Sequence, residues 1–366
     1  MSRQSKQNHR PLKGLVLAGG KGSRLRPLTA TGAKQLVPVA NKPVLFFALE
    51  QMVEADITDI GIITGDTGDQ VREALGDGSA FGAKFTFIAQ DAPRGLAHAV
   101  ATGADFLGDS PFCMYLGDNF LKNGITEHVE RYRSNGAQSQ ILLKRVEDPS
   151  AMGVAVLDES GKVVRLVEKP KTRISDLAVI GVYLFGPEIH QINPTLKPSG
   201  RGELEITDAI QGLIDAGYTV DASEIDDEWI DTGKKDDMLE ANRVVLESIE
   251  RSIQGNVDDA SAIIGNVIIK PGATIRQSVV RGPAIIGEGT VIDNAYVGPF
   301  TAVANECEIL NCEIEHSIVM VNSRIRNIQP RISDSLIGKE VVIEKRDEMP
   351  RTLRFLLGDH SQVGVL

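Results

Sequence analysis

Short apolar runs alternate with longer amphipathic stretches over the first 120 residues. GLVLAG (14–19) and IGIIT (60–64) have the uninterrupted apolar character of buried strands, and PVLFFALEQMVEA (43–55) repeats its apolar residues at helical spacing. The alternation continues through KFTFIAQ (84–90), GLAHAVATGADFL (95–107) and FCMYLGDN (112–119). This order predicts an α/β domain with a mostly parallel central sheet, whose ligands bind at the carboxyl ends of the strands.

The pattern loosens after residue 130 but keeps the same kinds of element. Strands are predicted over QSQILLKRV (138–146) and AVIGVYLF (178–185), and GVAVLDESGKVVRLVEKP (153–170) reads as two strands joined by a turn. Helical periodicity returns in ITDAIQGLIDAG (206–217) and in KKDDMLEANRVVLESIERSI (234–253). The last of these is a long helix that closes the α/β part of the chain.

After Gly255 the helical periodicity ends, and apolar residues return every six positions. This period predicts a parallel β-helix in which each hexad forms one side of a triangular coil. At ~18 residues a coil, residues 256–340 allow about four to five coils, whereas β-hairpins would need a two-residue period. The residues predicted to face inward form two series, Val257, Ile263, Ile269 and Ile275, then Val279, Ile285, Val291, Val297, Val303 and Ile309.

These patterns divide the chain into four predicted segments. We expect a disordered leader over residues 1–12, the α/β domain over 13–253, the β-helix over 254–345, and a C-terminal cap or tail over 346–366. No apolar run reaches the roughly 18 residues of a membrane helix, and no signal peptide is recognisable. Three scattered cysteines (Cys113, Cys307 and Cys312) do not make a disulfide framework, so a cytoplasmic location is expected.

Charge is distributed very unevenly along the chain. The formal net charge is −11, yet the first 49 residues contain nine Lys and Arg and no Asp or Glu. A protein that binds nucleic acid spreads basic charge over a wide surface, so this concentration argues against nucleic acid as a partner. It favours one compact anion site near the start of an acidic protein.

The stretch GLVLAGGKGSRLRPLT (14–29) places three glycines beside this positive charge. Leu25 stands where a dinucleotide fingerprint needs its last glycine, and Gly22 follows Lys21 where a Walker loop needs Ser or Thr. Gly19, Gly20 and Gly22 can still bring bare backbone N–H groups against phosphate oxygens, and Arg24 and Lys34 can add mobile positive charge. The loop therefore predicts a phosphate site of a third kind.

LAGGKGSRLRPLT (17–29) is a signature of the sugar-1-phosphate nucleotidyltransferases, and the chain resembles that family in motif order. LGDN (116–119), VEKP (167–170), RGELEITD (201–208) and WIDTG (229–233) follow as they do there. KQLVPV (34–39) and RGELEITD look most like the glucose-1-phosphate thymidylyltransferases of the long form. The resemblance implies a Rossmann-like nucleotidyltransferase domain followed by a left-handed parallel β-helix.

The reaction implied by this resemblance joins a nucleoside triphosphate and a sugar 1-phosphate, giving a nucleotide sugar and pyrophosphate. A sugar phosphate is already an anionic nucleophile, so positioning and charge neutralisation suffice without a general base. Two anions repel, so Mg²⁺ is expected. Asp118, just past a strand end, is the first candidate ligand, and Asp231 is the second.

The resemblance also implies a role for each remaining candidate. Arg24, Lys34 and Lys169 are the expected catalytic residues. The expected nucleotide-binding residues are Leu17, Ala18, Gly19, Gly20, Gly22, Ser23, Arg24, Gln35, Gln90, Gly95 and Asp118, with Gln90 and Gly95 reading the base. The expected sugar-phosphate-binding residues are Asn119, Gly153, Glu168, Lys169, Gly181, Arg201 and Trp229.

Three alternatives stay open at this point. The most specific expectation is dTTP with glucose 1-phosphate, but relatives use UTP, ATP or GTP, or another sugar or cyclitol phosphate. A second activity of the β-helix as an acyltransferase is less favoured, because only His316 and His360 lie in that half. The third is a binding protein that has kept the fold without activity. The β-helix more plausibly mediates contacts in a homo-oligomer, and no membrane partner is expected.

Overall fold

The computed structural model describes residues 10–20, 22–345, 349, 353, 355 and 357–364. Most of the predicted leader and most of the predicted C-terminal cap or tail lie outside these described residues. At the described end of the leader, Arg10 pairs with Asp109 at 3.0 Å and Leu12 is buried.

The predicted alternation of strands and helices appears in the first 250 residues. Its helices are α1 (Val44–Glu54), α2 (Gly68–Leu75), α3 (Leu96–Thr102), α4 (Ala104–Leu107), α5 (Thr126–Asn135), α6 (Ile189–Ile192), α7 (Ile206–Asp215) and α8 (Lys235–Glu247). Its strands are β1 (Lys13–Ala18), β2 (Pro38–Val39), β3 (Lys42–Pro43), β4 (Asp59–Thr64), β5 (Lys84–Ala89), β6 (Phe112–Leu116), β7 (Asn119–Leu121), β8 (Ser139–Arg145), β9 (Gly153–Leu157), β10 (Val163–Glu168), β11 (Leu177–Phe185), β12 (Val220–Glu224) and β13 (Trp229–Asp231).

A mixed sheet forms the centre of this part of the chain. In the described residues it has nine strands, with the main path β10-β9-β11-β6-β1-β4-β5 and with β8 and β12 branching from β11. The early strands β6, β1, β4 and β5 are mutually parallel, as the strand–helix alternation requires. The later strand β11 runs antiparallel to β6, β8 and β9, which is where the sequence pattern loosens.

Contacts within the chain define two compact units. The first unit is Met1–Lys21 with Leu45–Trp229, and the second is Gly22–Val44 with Ile230–Leu366, as far as their residues are described. This division differs from the predicted boundary at residue 253, because Gly22–Val44 and α8 group with the C-terminal coil. A core around Leu15, Phe112 and Phe185 fills the first unit.

The second unit contains three parallel sheets, as in the predicted left-handed β-helix. Every described strand pair within these sheets is parallel and joins one coil to the next. The first sheet contains β14 (Ser252–Ile253), β17 (Val267–Ile269), β20 (Ala284–Ile286), β23 (Thr301–Val303), β26 (Ile318–Val319) and β28 (Leu336–Ile337). The second contains β15 (Asn256–Val257), β18 (Thr274–Arg276), β21 (Val291–Asp293), β24 (Glu308–Leu310), β27 (Arg324–Arg326) and β29 (Val342–Glu344), and the third β16 (Ala262–Ile264), β19 (Val279–Arg281), β22 (Tyr296–Val297) and β25 (Glu313–Ile314).

The register of the coils corrects three of the inward-facing residues predicted from the six-residue period. Strand pairing aligns Ile263 with Val280, a step of 17 residues, one fewer than three hexads would give. Val280, Ile286 and Ile292 therefore fill the coil, together with the correctly predicted Val297, Val303 and Ile309. The predicted Val279, Ile285 and Val291 lie one residue away from these positions and outside the core cluster.

The burial of two cysteines and the lengths of the helices agree with what the composition led us to expect. Cys307 and Cys312 belong to the core of the coil, and burial raises the pKa of both thiols. Among the described residues, no helix combines the length and apolar character that crossing a bilayer would require.

Candidate active site

The phosphate loop begins at the carboxyl end of β1. Leu17 and Ala18 are buried there, and the carbonyl of Leu17 accepts a hydrogen bond from the N–H of Gly117 at 2.9 Å. A Cβ on Gly19 would lie 3.3 Å from the backbone nitrogen of Gly65, so the two main chains approach closely. Gly20 is exposed. This end of the first unit therefore presents bare main chain.

The second half of the loop folds on itself within the second unit. Gly22 adopts φ +60°, and a Cβ there would lie 2.8 Å from Cβ of Lys34. Thr29 Oγ1 donates a hydrogen bond of 2.6 Å to the carbonyl of Gly22. Ser23 is exposed at the start of a short 3₁₀ turn. Glycine is required at position 22 by both conformation and space.

Two predicted catalytic cations share one carboxylate. Arg24 Nη2 lies 3.8 Å from Oδ2 of Asp231, and Lys34 Nζ lies 3.8 Å from Oδ1 of the same residue. Arg24 is exposed, whereas the Lys34 side chain is only 7% exposed. A Cβ on Gly233 would lie 2.9 Å from Cζ of Arg24, so glycine leaves room for the guanidinium. The structure thus brings Arg24, Lys34 and Asp231 together.

Gln35 carries a buried acceptor beside Lys34. Its side chain is 2% exposed, and among the described residues Oε1 has no hydrogen-bond partner. An unsatisfied buried polar atom costs about 1–3 kcal/mol, so such atoms are rare in folded proteins. The unsatisfied oxygen is consistent with a donor supplied by a ligand.

Gln90 follows β5 in the first unit, and its orientation is held by a residue that sequence reasoning gave no role. Gln90 Nε2 lies 2.8 Å from Nδ1 of His98, on α3. His98 Nε2 lies 3.5 Å from a carboxylate oxygen of Asp91, so Nε2 carries the proton and Nδ1 accepts from Gln90. Gln90 follows a strand and His98 lies on a helix, so nothing in their spacing along the sequence indicated that the two side chains are in contact.

Gly95 lies in the loop after β5 that is predicted to read the base, and it contacts the RGELEITD segment (201–208). Gly95 has φ +105°, and a Cβ there would lie 2.7 Å from the backbone nitrogen of Leu204. Leu204 donates from its N–H to the carbonyl of Arg94 at 2.7 Å, and its carbonyl accepts from Ala97 at 3.1 Å. The segments predicted to read the base and the sugar phosphate are therefore paired through their main chains.

A cavity of about 240 Å³ lies beside this junction, within the first unit. Four residues predicted to bind the sugar phosphate line it, namely Gly153, Glu168, Lys169 and Arg201, and the structure adds Leu96, Tyr183, Glu203, Glu205, Ile206 and Thr207. A Cβ on Gly153 would lie 2.6 Å from Cγ2 of Thr207, so glycine keeps the cavity open.

Arg201 is held by three carboxylates at this cavity. Its Nη2 donates to Glu205 Oε2 at 2.9 Å, to Glu203 Oε2 at 3.2 Å and to Glu168 Oε1 at 3.3 Å. Burial and then the charge of Glu205 raise the pKa of Glu168, while Lys169, 3.9 Å away, acts in the opposite direction. Glu205, only 5% exposed, is a site residue that the sequence analysis did not select.

Asp118, Asn119 and Trp229 form a chain of hydrogen bonds. Trp229 Nε1 donates to Asn119 Oδ1 at 2.7 Å, and Asn119 Nδ2 donates to Asp118 Oδ1 at 3.0 Å. A Cβ on Gly181 would lie 2.6 Å from Cγ of Asn119. Gly181 therefore makes room for the Asn119 side chain, in addition to its predicted role of placing main chain near a sugar.

A second cavity, of about 380 Å³, lies on the β-helix. His316, one of the two histidines considered for acyl transfer, lines it, and His316 Nδ1 lies 2.6 Å from Asp334 Oδ1. His360 is exposed. In the first unit, the side chain of His128 lies 2.9 Å from Ser223 Oγ.

Comparison with known proteins places these features in a family. The model of the family described as nucleotidyl transferase matches residues 13–248. The chain is 50% identical over 354 residues to a glucose-1-phosphate thymidylyltransferase of Streptomyces griseus, covering 97% of this chain and 99% of that protein. It is 46% identical to the low-salt glycan biosynthesis nucleotidyltransferase Agl11 of Haloferax volcanii, covering 96% of this chain and 99% of that protein.

A solved structure is similar as well. A Bacillus anthracis protein, described as a presumed glucose-1-phosphate thymidylyltransferase in complex with sucrose, superposes with a TM-score of 0.61 and is 37% identical. The alignment covers 66% of this chain and 97% of that one.

Proposed function

The chain belongs to the nucleotidyl transferase family, and from that premise we propose that it transfers the thymidylyl group of dTTP to glucose 1-phosphate, releasing pyrophosphate. One observation carries the proposal, namely the cavity lined by Glu168, Lys169 and Arg201. A sugar phosphate needs hydrogen-bond acceptors for its hydroxyls and cations for its phosphate, and this cavity supplies both. Similarity to named thymidylyltransferases over nearly the full chain supports this choice of substrates.

The sugar phosphate is the proposed nucleophile. Its phosphate oxygen attacks the α-phosphorus of dTTP, a new P–O bond forms, and the bond to the β-phosphate breaks so that pyrophosphate leaves. The attacking oxygen is already ionised at neutral pH, so no side chain has to remove a proton. Catalysis then depends on orientation and on neutralising charge as it shifts to the leaving group.

Arg24 and Lys34 are the proposed groups that neutralise this charge. Lys34 is nearly buried, and a cation in a water-poor site interacts more strongly with phosphate than an exposed one. Each cation lies 3.8 Å from a carboxylate oxygen of Asp231, which offsets part of their charge. The backbone of Leu17, Ala18, Gly19, Gly20, Gly22 and Ser23 is proposed to bind the triphosphate through its N–H groups.

The nucleoside is proposed to be recognised by Gln90, Gly95 and Gln35. Because one N–H of Gln90 Nε2 is bonded to His98, the orientation of the amide is fixed, and Oε1 and the second N–H are left for the base. An acceptor there matches the N3–H of thymine. The buried Oε1 of Gln35 is a second acceptor, suited to a hydroxyl or N–H of the nucleoside.

Glucose 1-phosphate is proposed to bind in the cavity of the first unit. Glu168 accepts from sugar hydroxyls, and Lys169 and Arg201 face the phosphate. Gly153 leaves the space, and Gly181 permits the placement of Asn119, which Trp229 orients.

Magnesium is the proposed cofactor, with Asp118 and Asp231 as its carboxylate ligands. Hard carboxylate oxygens fit this ion, which in phosphate sites uses one or two carboxylates together with substrate oxygens and water. Among the described residues, no group of three or more His, Cys, Asp or Glu is arranged to hold a metal. When bound, the ion lowers the repulsion between the two anionic substrates. We further propose a homo-oligomer that acts in the cytoplasm.

A panel of substrates tests the proposal directly. Pyrophosphate release is measured with dTTP, UTP, ATP and GTP against glucose 1-phosphate and other sugar or cyclitol phosphates, with and without Mg²⁺. We expect dTTP with glucose 1-phosphate to give the highest kcat/KM and expect no turnover without a divalent ion. A poor rate for that pair beside a good rate for another would replace the proposed substrates.

Substitutions test the proposed residues. Lys34→Met should lower kcat by at least ~100-fold, the usual loss when one charge-stabilising group is removed. The matched control is Lys13→Met, since Lys13 donates to the carbonyl of Phe106 in the core and touches no site residue. Equal activity of both variants would remove Lys34 from the reaction.

The expectation that the β-helix carries no acyl-transfer activity stays a prediction. His316 does line a cavity, so the assay is worth making. Acetyl-CoA-dependent acetylation of a sugar 1-phosphate by the full chain, abolished by His316→Ala, would contradict the prediction.

A further inference from the structure

Residue Asn242, on α8, connects the phosphate-loop segment to the β-helix within the second unit. Its side chain is fully buried. Asn242 Oδ1 accepts a hydrogen bond from the N–H of Ala40 at 2.9 Å, and Nδ2 donates to the carbonyl of Phe300 at 2.9 Å. We propose that Asn242 is a positioning residue, through which the β-helix fixes the segment that carries Arg24 and Lys34. The proposal rests on the proposed roles of those two residues.

A second amide strengthens the same connection. Asn41 Nδ2 donates to the carbonyl of Val303, in β23 of the coil, at 2.7 Å. Ala40 and Asn41 form the tight turn between β2 and β3, with φ of +48° and +63°. This turn is therefore attached directly to the helix and to Val303 of the coil, and through Asn242 it is linked to Phe300 as well.

The turn lies a few residues from Lys34 and is rigidly joined to it. The N–H of Val44 donates to the carbonyl of Val37 at 3.2 Å, closing the β2–β3 hairpin at its base. The N–H of Val37 in turn donates to the carbonyl of Lys34 at 3.1 Å. A displacement of the turn is consequently transmitted to the main chain of Lys34.

The same helix also meets the cations at its other end. α8 begins at Lys235, shortly after Asp231, which faces Arg24 and Lys34, and after Gly233, which lies against Arg24. Seven residues of helix, about 10 Å of rise, separate that start from Asn242. The carboxylate opposite the cations thus lies just before the helix whose Asn242 holds the turn that follows them.

Packing alone does not account for an asparagine at position 242. An aliphatic side chain would fill a buried site without the cost of burying an amide. Both polar atoms of the Asn242 side chain form hydrogen bonds to main-chain groups. They link Ala40 to Phe300, which are 260 residues apart in the sequence. That arrangement selects one position of the loop relative to the coil.

The test uses the full chain and two measurements. Asn242→Ala removes both hydrogen bonds, and Asn242→Asp keeps the acceptor for Ala40 but loses the donor to Phe300. Hydrogen exchange of the Ala40 amide reports on the attachment without reference to activity, and steady-state kinetics report on its consequence. Both are made at a temperature where circular dichroism shows each variant folded.

We expect Asn242→Ala to speed exchange of the Ala40 amide by about tenfold, as for the loss of one hydrogen bond. We expect kcat to fall by a similar factor and the KM for the sugar phosphate to change little, because the cavity lies in the other unit. Asn242→Asp sets a carboxylate oxygen against the carbonyl of Phe300, so it should lose the attachment to the coil and lower kcat at least as far as Asn242→Ala. Asn41→Ala should act in the same direction as Asn242→Ala.

The control is Asn311→Ala, in the β-helix. Asn311 accepts from Asn294 at 2.8 Å and donates to Asn327 at 2.7 Å, so its loss weakens the coil without touching the loop. Unchanged exchange at Ala40 in Asn242→Ala, or equal kinetic effects of Asn311→Ala, would overturn the proposal. Full activity of Lys34→Met would instead remove Lys34 from the reaction, and a poor rate with dTTP and glucose 1-phosphate beside a good rate with another pair would overturn the proposed function, whatever the exchange result.

Discussion

The indole of Trp229 fixes the amide of Asn119 with a hydrogen bond of 2.7 Å from Nε1 to Oδ1. The orientation matters because the other end of that amide, Nδ2, donates to Asp118 Oδ1 at 3.0 Å. Asn119 is 2% exposed, so water cannot take the place of either partner. Trp229 therefore controls, through one neutral side chain, how a proposed magnesium ligand is presented.

Trp229→Phe keeps the aromatic ring and removes the donor. We expect it to leave Asn119 Oδ1 buried without a partner, at a cost of about 1–3 kcal/mol in the free energy of unfolding. We also expect the Mg²⁺ concentration for half-maximal rate to rise several-fold, because the Asn119 amide is free to turn away from Asp118. The measurement is initial rate against Mg²⁺ at saturating substrates.

The matched control for this variant is Tyr115→Phe. Tyr115 donates from its hydroxyl to Gln51 Oε1 at 2.8 Å, in the core of the first unit. It should lower stability by a similar amount and leave the Mg²⁺ dependence unchanged. If Trp229→Phe also kept the Mg²⁺ dependence of the wild type, the orientation of Asn119 would have no part in binding the ion.

Gly95→Ala has two free-energy costs, one from backbone conformation and one from steric overlap, and a second glycine allows them to be measured separately. Alanine at φ +105° is strained, and its Cβ would also collide with the backbone of Leu204. Gly217→Ala, at φ +84° with open space around it, carries the conformational cost alone, about 1–2 kcal/mol. We expect Gly95→Ala to destabilise the chain by clearly more than that and to raise KM for both substrates. If Gly95→Ala and Gly217→Ala lost the same stability in urea unfolding, the main chains around Gly95 and Leu204 would move apart at no cost in free energy.

Much of the architecture could be predicted from the sequence because it depends on local pattern. The period-six repeat predicts a coil, and the glycines and cations of 14–29 predict a phosphate site, which the resemblance of LAGGKGSRLRPLT and the later motifs assigns to the nucleotidyltransferases. The register of the coil could not be predicted, since Val280 and Val279 are equally apolar and only strand pairing with Ile263 decides between them.

The supporting residues of the site escaped prediction for a different reason. Glu205, His98 and Asn242 act by holding other residues, and their partners are distant in sequence or reached only through the fold. A glutamate beside an arginine or a histidine on a helix is ordinary in any chain. Motif resemblance indicates which residues contact a ligand, whereas three-dimensional contacts are needed to identify the residues that orient them.

His98→Leu tests whether base selection depends on the orientation of Gln90. With one N–H of Nε2 bonded to His98, the amide of Gln90 is held in one orientation, and cytosine presents an acceptor at N3 that the Gln90 carbonyl repels. Without the bond, the amide can turn and offer its NH₂ instead. We expect the ratio of kcat/KM for dTTP to that for dCTP to fall about tenfold, as for one misplaced hydrogen bond.

His128→Leu is the control for this substitution, because its side chain bonds Ser223 and does not contact Gln90. It should keep the dTTP preference whatever its effect on stability. An unchanged preference in His98→Leu would show that Gln90 holds its orientation by other means.

Glu168 should make the stability of the first unit depend on pH in a defined direction. Burial, and then the charge of Glu205, raise its pKa above the usual 4.5, so the folded state binds this proton more tightly than the unfolded chain. The contribution to stability is therefore fully present below pH 4.5 and is lost as the pH rises through the raised value. Glu168→Gln cannot titrate, and all other carboxyl groups are common to both proteins. We expect the free energy of unfolding of the wild type, relative to Glu168→Gln in urea titrations, to decrease as the pH rises above 4.5 and then to level off. An increase with pH below 4.5, with no change above it, would mean that pairing with Arg201 and Lys169 outweighs burial, and that Glu168 binds its sugar as a carboxylate stabilised by the site.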